Sequence, residues 1–460
     1  MYRFAMDDLK IWAQQATHKP IVLRGARQVG KSFLVRMLAE ACFDSLAEVN
    51  FEQRADMAEL FVSKEPQRII SLLELRLDQA ITPGKTLLFL DEIQAAPEVF
   101  ATLRYFYEKL PALHVIAAGS LLEFVLEEHA FSMPVGRVEY RHLGPMTFEE
   151  YLLAMGQARL FEFVQQLGWQ DTIDRPIHDD LMTLLREFLV VGGMPEAVDT
   201  FAQSRSFLAS DKVLSSILST YRDDFTKYRA RVNPVRLAQV FTRIPSLVGN
   251  KLKYTQIDPD EKSRDLKQAL HQLQNARILY RVQHTHANGI PLGATVKQQH
   301  FKPLFLDVGL MCHACGLTLD DIQTAKDALL VNRGAVCEQF VGQHLLYAEP
   351  AYKEPELYCW FRLQGSSNAE VDYVIQQGAT IIPVEVKAGK TGSLKSLHVF
   401  LQEKRYHFGL RFNADRPSIV VSKTSVPGTV PQPFHLMSLP LYLVGQAKRL
   451  CKEGLLRTLK

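Results

Sequence analysis

The chain has 460 residues, of which 47% are apolar and 22% are charged, and its formal net charge is +3. This composition is ordinary for a globular protein and excludes a disordered or fibrous chain. The length exceeds what one hydrophobic core usually organises, so about three domains are expected.

The sequence also bears on location. No apolar run reaches the roughly 18 residues that span a bilayer, so no membrane partner is expected. The first twenty residues include Asp7 and Asp8 and lack the apolar stretch of a secretory signal. Among the six scattered cysteines, Cys312 and Cys315 form a CxxC pair with no second pair at zinc spacing. These features predict a cytoplasmic protein with reduced thiols.

Short apolar strands alternate with amphipathic helices through residues 1–150, the first predicted domain. The predicted strands lie at 20–24, 47–51, 86–90 and 114–118. Such alternation is typical of an α/β fold with a parallel sheet.

A glycine-rich loop follows the first predicted strand and precedes a helical pattern. It fits G-x-x-x-x-G-K-[ST], which in this context is a P-loop. The glycines let backbone N–H groups surround phosphate oxygens, and the helix directs its positive end towards them. Lys31 is predicted to reach the β- and γ-phosphates and Ser32 to ligate Mg²⁺, so ATP and Mg²⁺ are the expected cofactors. The predicted nucleotide-binding residues of this loop are Gly25, Ala26, Arg27, Gln28, Val29, Gly30, Lys31 and Ser32.

Two carboxylates follow the third apolar strand. Asp91 and Glu92 come directly after four apolar residues at 87–90. Parallel sheets bind ligands at the carboxyl ends of their strands. Asp91 is therefore predicted to hold Mg²⁺, and Glu92 to orient or deprotonate the attacking water, which favours ATP hydrolysis over mere binding.

Ser120 and Arg137, later in this domain, are candidates for interacting with the γ-phosphate in two different roles. Ser120 follows the fourth strand, and we predict it to be a sensor, with an ordinary turn as the alternative. Arg137 lies in a loop and is a candidate arginine finger, a cation that stabilises the charge of phosphoryl transfer. A plain surface arginine is the equal alternative at that position.

The middle of the chain is predicted to contain two modules. Residues 151–230 form a predicted helical lid, because the strand patterns give way to helical periodicity. Residues 231–292 read as helices followed by a strand-like run at 278–284, the pattern of a winged helix-turn-helix.

The winged-helix segment is basic. Residues 222–281 carry 13 Lys and Arg against 6 Asp and Glu, which predicts DNA as a partner. Winged helices also bind proteins, and that alternative stays open. The predicted DNA-contacting residues are Lys253, Arg264, Lys267, Gln268 and Arg281.

Residues 293–460 return to a mixed α/β pattern and carry an acidic cluster. Asp372 and Glu385 lie on predicted strands at 371–376 and 380–386, Lys387 is two residues beyond Glu385, and Glu338 lies on the preceding helix. These carboxylates could hold Mg²⁺ while Lys387 positions or activates a water for phosphodiester hydrolysis. Spacing alone favours a chance set of solvated side chains.

Taken together, the motifs resemble those of bacterial and archaeal AAA-type ATPases with a C-terminal domain of unknown function related to PD-(D/E)xK nucleases. The resemblance covers the whole length, with a valine, Val371, where the nuclease motif has proline. It implies an α/β P-loop AAA domain, lid and winged helix followed by a restriction-endonuclease-like domain. It also implies a metal site at Glu338, Asp372 and Glu385 and a homo-oligomer that could form a ring with ATP between neighbouring subunits. The matching segments are 25–32, 90–94, 119–120, 136–137, 192–196, 307–310 and 370–387.

The resulting hypothesis is a Mg²⁺-dependent ATPase that remodels or translocates on DNA, with a nuclease-like C-terminal domain. The alternative is an ATP-dependent switch or scaffold whose C-terminal domain binds DNA or protein without cleaving it. ATP turnover indifferent to every form of DNA would favour the alternative.

Overall fold

A computed structural model describes residues 1–124, 136–228, 232–319, 321, 330–363, 369–389 and 393–458. The chain divides into two compact units. Unit 1 comprises Met1–Gly144, Asn275–Ile278 and Glu349–Pro355, and unit 2 comprises Pro145–Gln274, Leu279–Ala348 and Glu356–Lys460.

The predicted parallel α/β sheet is confirmed in unit 1. Within the described residues it has five strands in the order β2-β3-β4-β1-β5, and every neighbouring pair is parallel. The strands are Ile21–Arg24 (β1), Ser45–Asn50 (β2), Thr86–Asp91 (β3), His114–Ala118 (β4) and Glu139–His142 (β5).

Apolar runs explain why β3 and β4 are central. Every residue of Thr86–Asp91 and of His114–Ala118 is buried, as expected for strands covered on both faces. Leu88 pairs with Val115, and both belong to the core of unit 1. The described helices are Ala5–Ala13 (α1), Lys31–Cys42 (α2), Pro66–Leu77 (α3), Pro97–Phe100 (α4) and Leu103–Lys109 (α5), with 3₁₀ turns at Ala55–Phe61 and Ile93–Ala95.

Unit 2 begins with helices in the region predicted to be a lid. The first helix starts with a capping box, in which Thr147 accepts from the Glu150 N–H and Glu150 accepts from the Thr147 N–H. The helices up to residue 228 are Phe148–Ala154 (α6), Ala158–Gln166 (α7), Arg175–Val191 (α8), Pro195–Ser204 (α9) and Phe207–Asp224 (α10), followed by a 3₁₀ turn at Phe225–Tyr228.

The segment predicted to be a winged helix, 231–292, contains helices and a single strand, β6, which belongs to a larger sheet. In the described residues this sheet has eight strands in the order β12-β13-β11-β10-β9-β8-β6-β7. The boundary predicted between residues 292 and 293 is therefore not a break, since β6 and β7 pair across it. The strands are Leu279–Thr285 (β6), Val296–Phe305 (β7), Tyr358–Phe361 (β8), Glu370–Gln377 (β9), Thr380–Val386 (β10), Phe408–Asn413 (β11), Ser418–Lys423 (β12) and Pro433–Pro440 (β13).

The remaining helices of unit 2 lie before, between and after these strands along the chain. They are Pro234–Arg243 (α11), Tyr254–Ile257 (α12), Ser263–Asn275 (α13, whose last residue falls in unit 1), Val308–Ala314 (α14), Leu330–Leu346 (α15), Lys395–Lys404 (α16) and Ala447–Thr458 (α17), with 3₁₀ turns at Ile244–Leu247, Leu292–Thr295 and Leu441–Gln446. None of the helices that the structure describes is long and apolar enough to cross a membrane.

A close backbone contact joins the start of α14 to the end of α8. Asp307 accepts hydrogen bonds from the Leu310 N–H at 3.1 Å and the Gly193 N–H at 2.7 Å, and it is fully buried. A Cβ on Gly309 would lie 2.6 Å from the Cα of Gly192, closer than real Cβ atoms come. These glycines are therefore needed for packing, which accounts for the 192–196 and 307–310 motifs.

Candidate functional site

The order of the strands in unit 1 brings the predicted ATP-site residues to one edge. Strand β4 lies between β3 and β1, so the residues after all three strands share the carboxyl edge of the sheet. The P-loop follows β1, Asp91 ends β3, and Ser120 comes two residues after β4. This is the position at which parallel sheets bind ligands.

The P-loop has the backbone geometry its glycines predict. Gly30 adopts a left-handed conformation, with φ 90°, at the start of α2. A Cβ on Gly25 would lie 2.3 Å from the Leu143 carbonyl oxygen, so only glycine fits there. The Lys31 ammonium donates to the carbonyl oxygens of Gly25 at 3.0 Å and Ala26 at 2.8 Å.

Burial tunes the lysine of the loop. Burial lowers the pKa of Lys31 to about 8, although the nearby Glu92 and Asp91 carboxylates oppose the shift. An anionic phosphate beside this ammonium would favour its charged form in the same way as those carboxylates. The lysine is thus suited to bind a polyanion.

Ser32 and Asp91 meet where Mg²⁺ would bind. The Ser32 hydroxyl donates to Asp91 Oδ2 at 2.9 Å, and the Asn50 amide lies 3.5 Å from the same oxygen. Burial raises the pKa of Asp91, while the Ser32 hydrogen bond opposes this. A hydroxyl and a carboxylate oxygen side by side are ligands that suit Mg²⁺, so these residues fit the predicted ion. Asn50, at the end of β2, was not predicted to take part.

Glu92 is held by two side chains. Gln94 donates an amide hydrogen bond to Glu92 Oε2 at 2.5 Å, and the Ser120 hydroxyl lies 3.4 Å from the same oxygen. Glu92 itself has a left-handed backbone, with φ 51°. The predicted sensor, Ser120, and the predicted base, Glu92, are therefore neighbours. Gln94 is an additional residue of the site, to which the sequence analysis assigned no role.

An ion-pair network borders the P-loop. Arg24, the residue before Gly25, pairs with Glu123 and with Glu354, and Arg277 pairs with the same two carboxylates at 2.9 and 2.7 Å. Arg277 is close enough to Lys31 for its charge to contribute to the lowered pKa of that lysine. Arg277 and Glu354 come from the short segments that complete unit 1, so no local motif could have identified them.

Arg137 is exposed and paired on the surface of unit 1. Its guanidinium donates to Glu108 at 2.9 Å and lies 5.9 Å from the centre of the Tyr107 ring. Its proposed role as a finger acting on a neighbouring subunit stays a prediction.

A basic cavity of about 730 Å³ lies in unit 2. It includes two of the predicted DNA-contacting residues, Lys267 on α13 and Arg281 on β6, and adds Lys297 and His300 from β7. No carboxylate is among its described lining residues, which are completed by Tyr254, Gln298 and Gln299. The Arg281 guanidinium lies 4.7 Å from the centre of the Phe301 ring. Lys253, Arg264 and Gln268 are exposed but do not line the cavity.

The acidic residues of the C-terminal region converge on a lysine that sequence patterns missed. The Lys302 ammonium lies 2.8 Å from Glu338, 2.8 Å from Glu370 and 3.3 Å from Asp372. Glu385 and Lys387 form their own pair at 2.5 Å.

Charge and burial interact strongly in this cluster. Burial alone would lower the pKa of Lys302, but Glu338, Asp372 and Glu370 raise it well above its ordinary value. Burial and the charge of Asp372 raise the pKa of both Glu338 and Glu385. Two of the three carboxylates predicted to form a metal site, Glu338 and Asp372, therefore contact an ammonium, while the third, Glu385, pairs with Lys387.

This arrangement does not fit the predicted divalent ion. Three of the carboxylates already share a buried cation, and among the described residues no group of three or more His, Cys, Asp or Glu is arranged to hold a metal. We therefore derive no hydrolytic step at Asp372, Glu385 and Lys387.

Comparison with known families agrees with the geometry of unit 1. An AAA domain model matches residues 17–152, and two domains of unknown function, DUF8612 and DUF4143, match residues 182–321 and 333–442. No curated protein matches the chain. Residues 17–152 therefore form an AAA-type P-loop ATPase domain. The nuclease-like character of the C-terminal region is not confirmed by the family that matches it.

Several solved structures are similar at low identity. The Walker-type ATPase paby2304 of Pyrococcus abyssi is 16% identical, covers 68% of this chain and 94% of its own, and has a TM-score of 0.44. ORC2 of Aeropyrum pernix is 13% identical over 68% of this chain and 90% of its own, with a TM-score of 0.33. The Thermotoga maritima RuvB Holliday junction branch migration motor is 14% identical over 60% and 86%, with a TM-score of 0.28. At these values the likeness does not extend to what those proteins do.

Proposed function

We propose that this protein is a Mg²⁺-dependent ATPase that uses ATP hydrolysis to remodel DNA or to move along it. The observation that carries the ATPase assignment is the meeting of Lys31, Ser32, Asp91 and Glu92 at the carboxyl edge of one sheet.

Each of these residues has a defined task in hydrolysis. The P-loop N–H groups and Lys31 bind the phosphates, and Ser32 and Asp91 would hold Mg²⁺. When bound, the ion neutralises charge that develops on the transferred phosphoryl group. Glu92, fixed by Gln94, orients the attacking water and accepts its proton. Ser120, whose hydroxyl lies 3.4 Å from the same carboxylate, is proposed to sense the γ-phosphate.

The basic cavity supports DNA as the substrate of the motor. Lys267, Arg281 and Lys297 place three cations around one concavity, and such clusters bind phosphates in a salt-dependent way. The exposed residues Arg264 and Gln268 continue along the same helix and are proposed to reach the backbone or base edges.

We further propose that the active form is a homo-oligomer. In that assembly, which we propose to be a ring, Arg137 would leave Glu108 and approach the nucleotide of the neighbouring subunit. Its exposed position is compatible with such a role.

The second candidate is an ATP-dependent switch or scaffold that binds its partner without cleaving it. The specific observation in its favour is Lys302, whose ammonium lies among the carboxylates that cleavage would require. Both candidates include the same ATPase, so only DNA-dependent measurements separate them.

The deciding experiment measures ATP hydrolysis with branched, duplex and single-stranded DNA, and DNA binding over a salt series. We expect one form of DNA to stimulate hydrolysis. The double variant Lys267→Glu, Lys297→Glu should weaken binding on the order of 10- to 100-fold and reduce its salt dependence. Lys212→Glu combined with Lys395→Glu makes the same charge change at exposed positions outside the cavity. A rate of ATP hydrolysis that is unchanged by every form of DNA would favour the switch or scaffold.

A further inference from the structure

Lys302 is the centre of the C-terminal acidic cluster. It lies on β7 with a side chain 2% exposed, and its ammonium contacts Glu338 on α15 and both Glu370 and Asp372 on β9. The ammonium donates hydrogen bonds to Glu338 at 2.8 Å and Asp372 at 3.3 Å, and Glu370 adds a third negative charge at 2.8 Å.

Most of the remaining oxygens of Asp372 and Glu385 also have partners within the protein. Asp372 Oδ2 accepts from the Val386 N–H at 2.8 Å, and Lys387 neutralises one oxygen of Glu385. The other oxygen of Glu385 is buried without a hydrogen-bond partner. The Tyr373 ring, 6.0 Å from the Lys302 ammonium, covers a further side.

We infer that the Lys302 ammonium is the resident cation of this cluster and takes the place that a divalent metal ion would occupy. A divalent ion bound to Glu338 and Asp372 would lie within a few ångströms of the ammonium, and like charges repel strongly where water is excluded. Moving the ammonium away would leave a buried charge without its partners, which is costly.

The consequence is functional. The C-terminal region keeps the acidic cluster as an internal ion-pair network and does not use it for metal-dependent phosphodiester cleavage. Removing the single charge of Lys302 should convert the cluster into a divalent-metal site.

The test measures Mn²⁺ binding to the full-length protein by electron paramagnetic resonance. An Asp91→Asn background suppresses metal binding at the ATP site, and no nucleotide is added. The parent should show no Mn²⁺ site that depends on Asp372. Lys302→Met should bind one Mn²⁺ at this cluster at least about 100-fold more tightly than the parent does, since two or more carboxylates are then free for a hard cation. Adding Asp372→Asn should abolish that site.

Controls keep the outcome interpretable. Lys395→Met removes an exposed lysine of the same unit and should leave Mn²⁺ binding unchanged. Thermal unfolding provides a second readout, since Mn²⁺ should raise the Tm of Lys302→Met but not of the parent. If Lys302→Met does not fold, the parent decides alone. A parent that binds Mn²⁺ in a way that Asp372→Asn removes overturns the inference, and a parent without such a site supports it.

Discussion

At the scale of single residues, the orientation of Glu92 depends on its neighbours. Its Oε2 accepts from Gln94 and lies within reach of Ser120, so the carboxylate is fixed by side chains from two successive connections of the sheet. A base for water activation must be held in one direction to accept a proton efficiently. Gln94 is therefore a positioning residue.

We expect Gln94→Leu to lower kcat about 10-fold while nucleotide affinity stays nearly unchanged. The variant leaves Glu92, which orients the attacking water, without its hydrogen bond, but it does not alter the residues that bind the phosphates. Glu92→Gln should lower kcat on the order of 100-fold or more, again with ATP still bound. Steady-state hydrolysis and binding of a fluorescent ATP analogue check both values.

Gln79→Leu is the matched control for that prediction. It removes another amide of unit 1, one that donates to the Leu46 carbonyl oxygen at 3.2 Å. An equal loss of kcat in Gln79→Leu would show that the effect of Gln94→Leu arises from general destabilisation and not from the position of Glu92.

At the scale of elements, the contact between the end of α8 and the start of α14 depends on glycine. Gly192 has φ 74°, and a Cβ on it would lie 2.2 Å from Asp307 Oδ1. Asp307 in turn caps α14. The two motifs around these residues therefore stabilise packing and have no need of a chemical role.

Gly309→Ala should lower the free energy of unfolding by about 3 kcal/mol, because the added methyl collides with the backbone at Gly192. Gly334→Ala, in the helix α15 and with no atom within 4 Å of the added Cβ, should be neutral or slightly stabilising. Denaturant unfolding of both variants tests this. Similar stability of the two would mean that the backbones can separate at little cost.

Among the strands, several apolar ones were predicted with the correct bounds, whereas one polar strand and two mostly apolar ones were missed. Strand β10, Thr380–Val386, and strand β4, His114–Ala118, have the predicted bounds. Strand β5, with the sequence EYRH, was not predicted, because pairing with β1 outweighs its polar composition. Strands β11 and β13 were also missed, since their parallel partners are distant in the sequence.

Distance along the sequence also separates the site residues that were predicted from those that were missed. The P-loop and the Asp91–Glu92 pair are local motifs, and their geometry follows from strand order. Lys302 is 36 residues from Glu338 and 70 from Asp372, so only the paired strands and helix of the folded chain bring them together. Lys302 lies in a continuously buried run, residues 301–305, after the polar start of β7, and a lysine next to that polar start gave no sign of burial.

At the scale of the whole molecule, several buried histidines make the fold sensitive to acid. In unit 2, His344 accepts a hydrogen bond from the Phe148 N–H at 2.9 Å, so its other ring nitrogen donates to the Phe340 carbonyl oxygen at 2.8 Å. Burial lowers the pKa of His344 to about 4. Burial also lowers the pKa to about 4 in His114 and His142 and to about 3 in His284.

The sign of the pH dependence follows from this shift. Between pH 6.5 and about 4 the unfolded state binds more protons at His344, so stability is full above pH 6.5 and falls as the pH drops. Over pH 7 to 5 this contributes about 2 kcal/mol. His344→Gln should therefore show a shallower decline of Tm in that interval, and exposed His407→Gln serves as the control. Parallel declines in wild type and His344→Gln would contradict the assignment.

Unit 1 is assembled from three stretches of the chain, and the two short ones supply Arg277 and Glu354 beside the P-loop. The His142 N–H also donates to Ala351 in one of them, at 2.7 Å. A fragment that stops at residue 144 would carry every recognisable nucleotide-binding motif and would still lack Glu354 and Arg277, the second ion-pair partners of Arg24 and Glu123. Exchange of the ATPase module between proteins of this architecture would thus have to transfer three pieces of sequence together, which ties the inheritance of the motor to that of the regions after it.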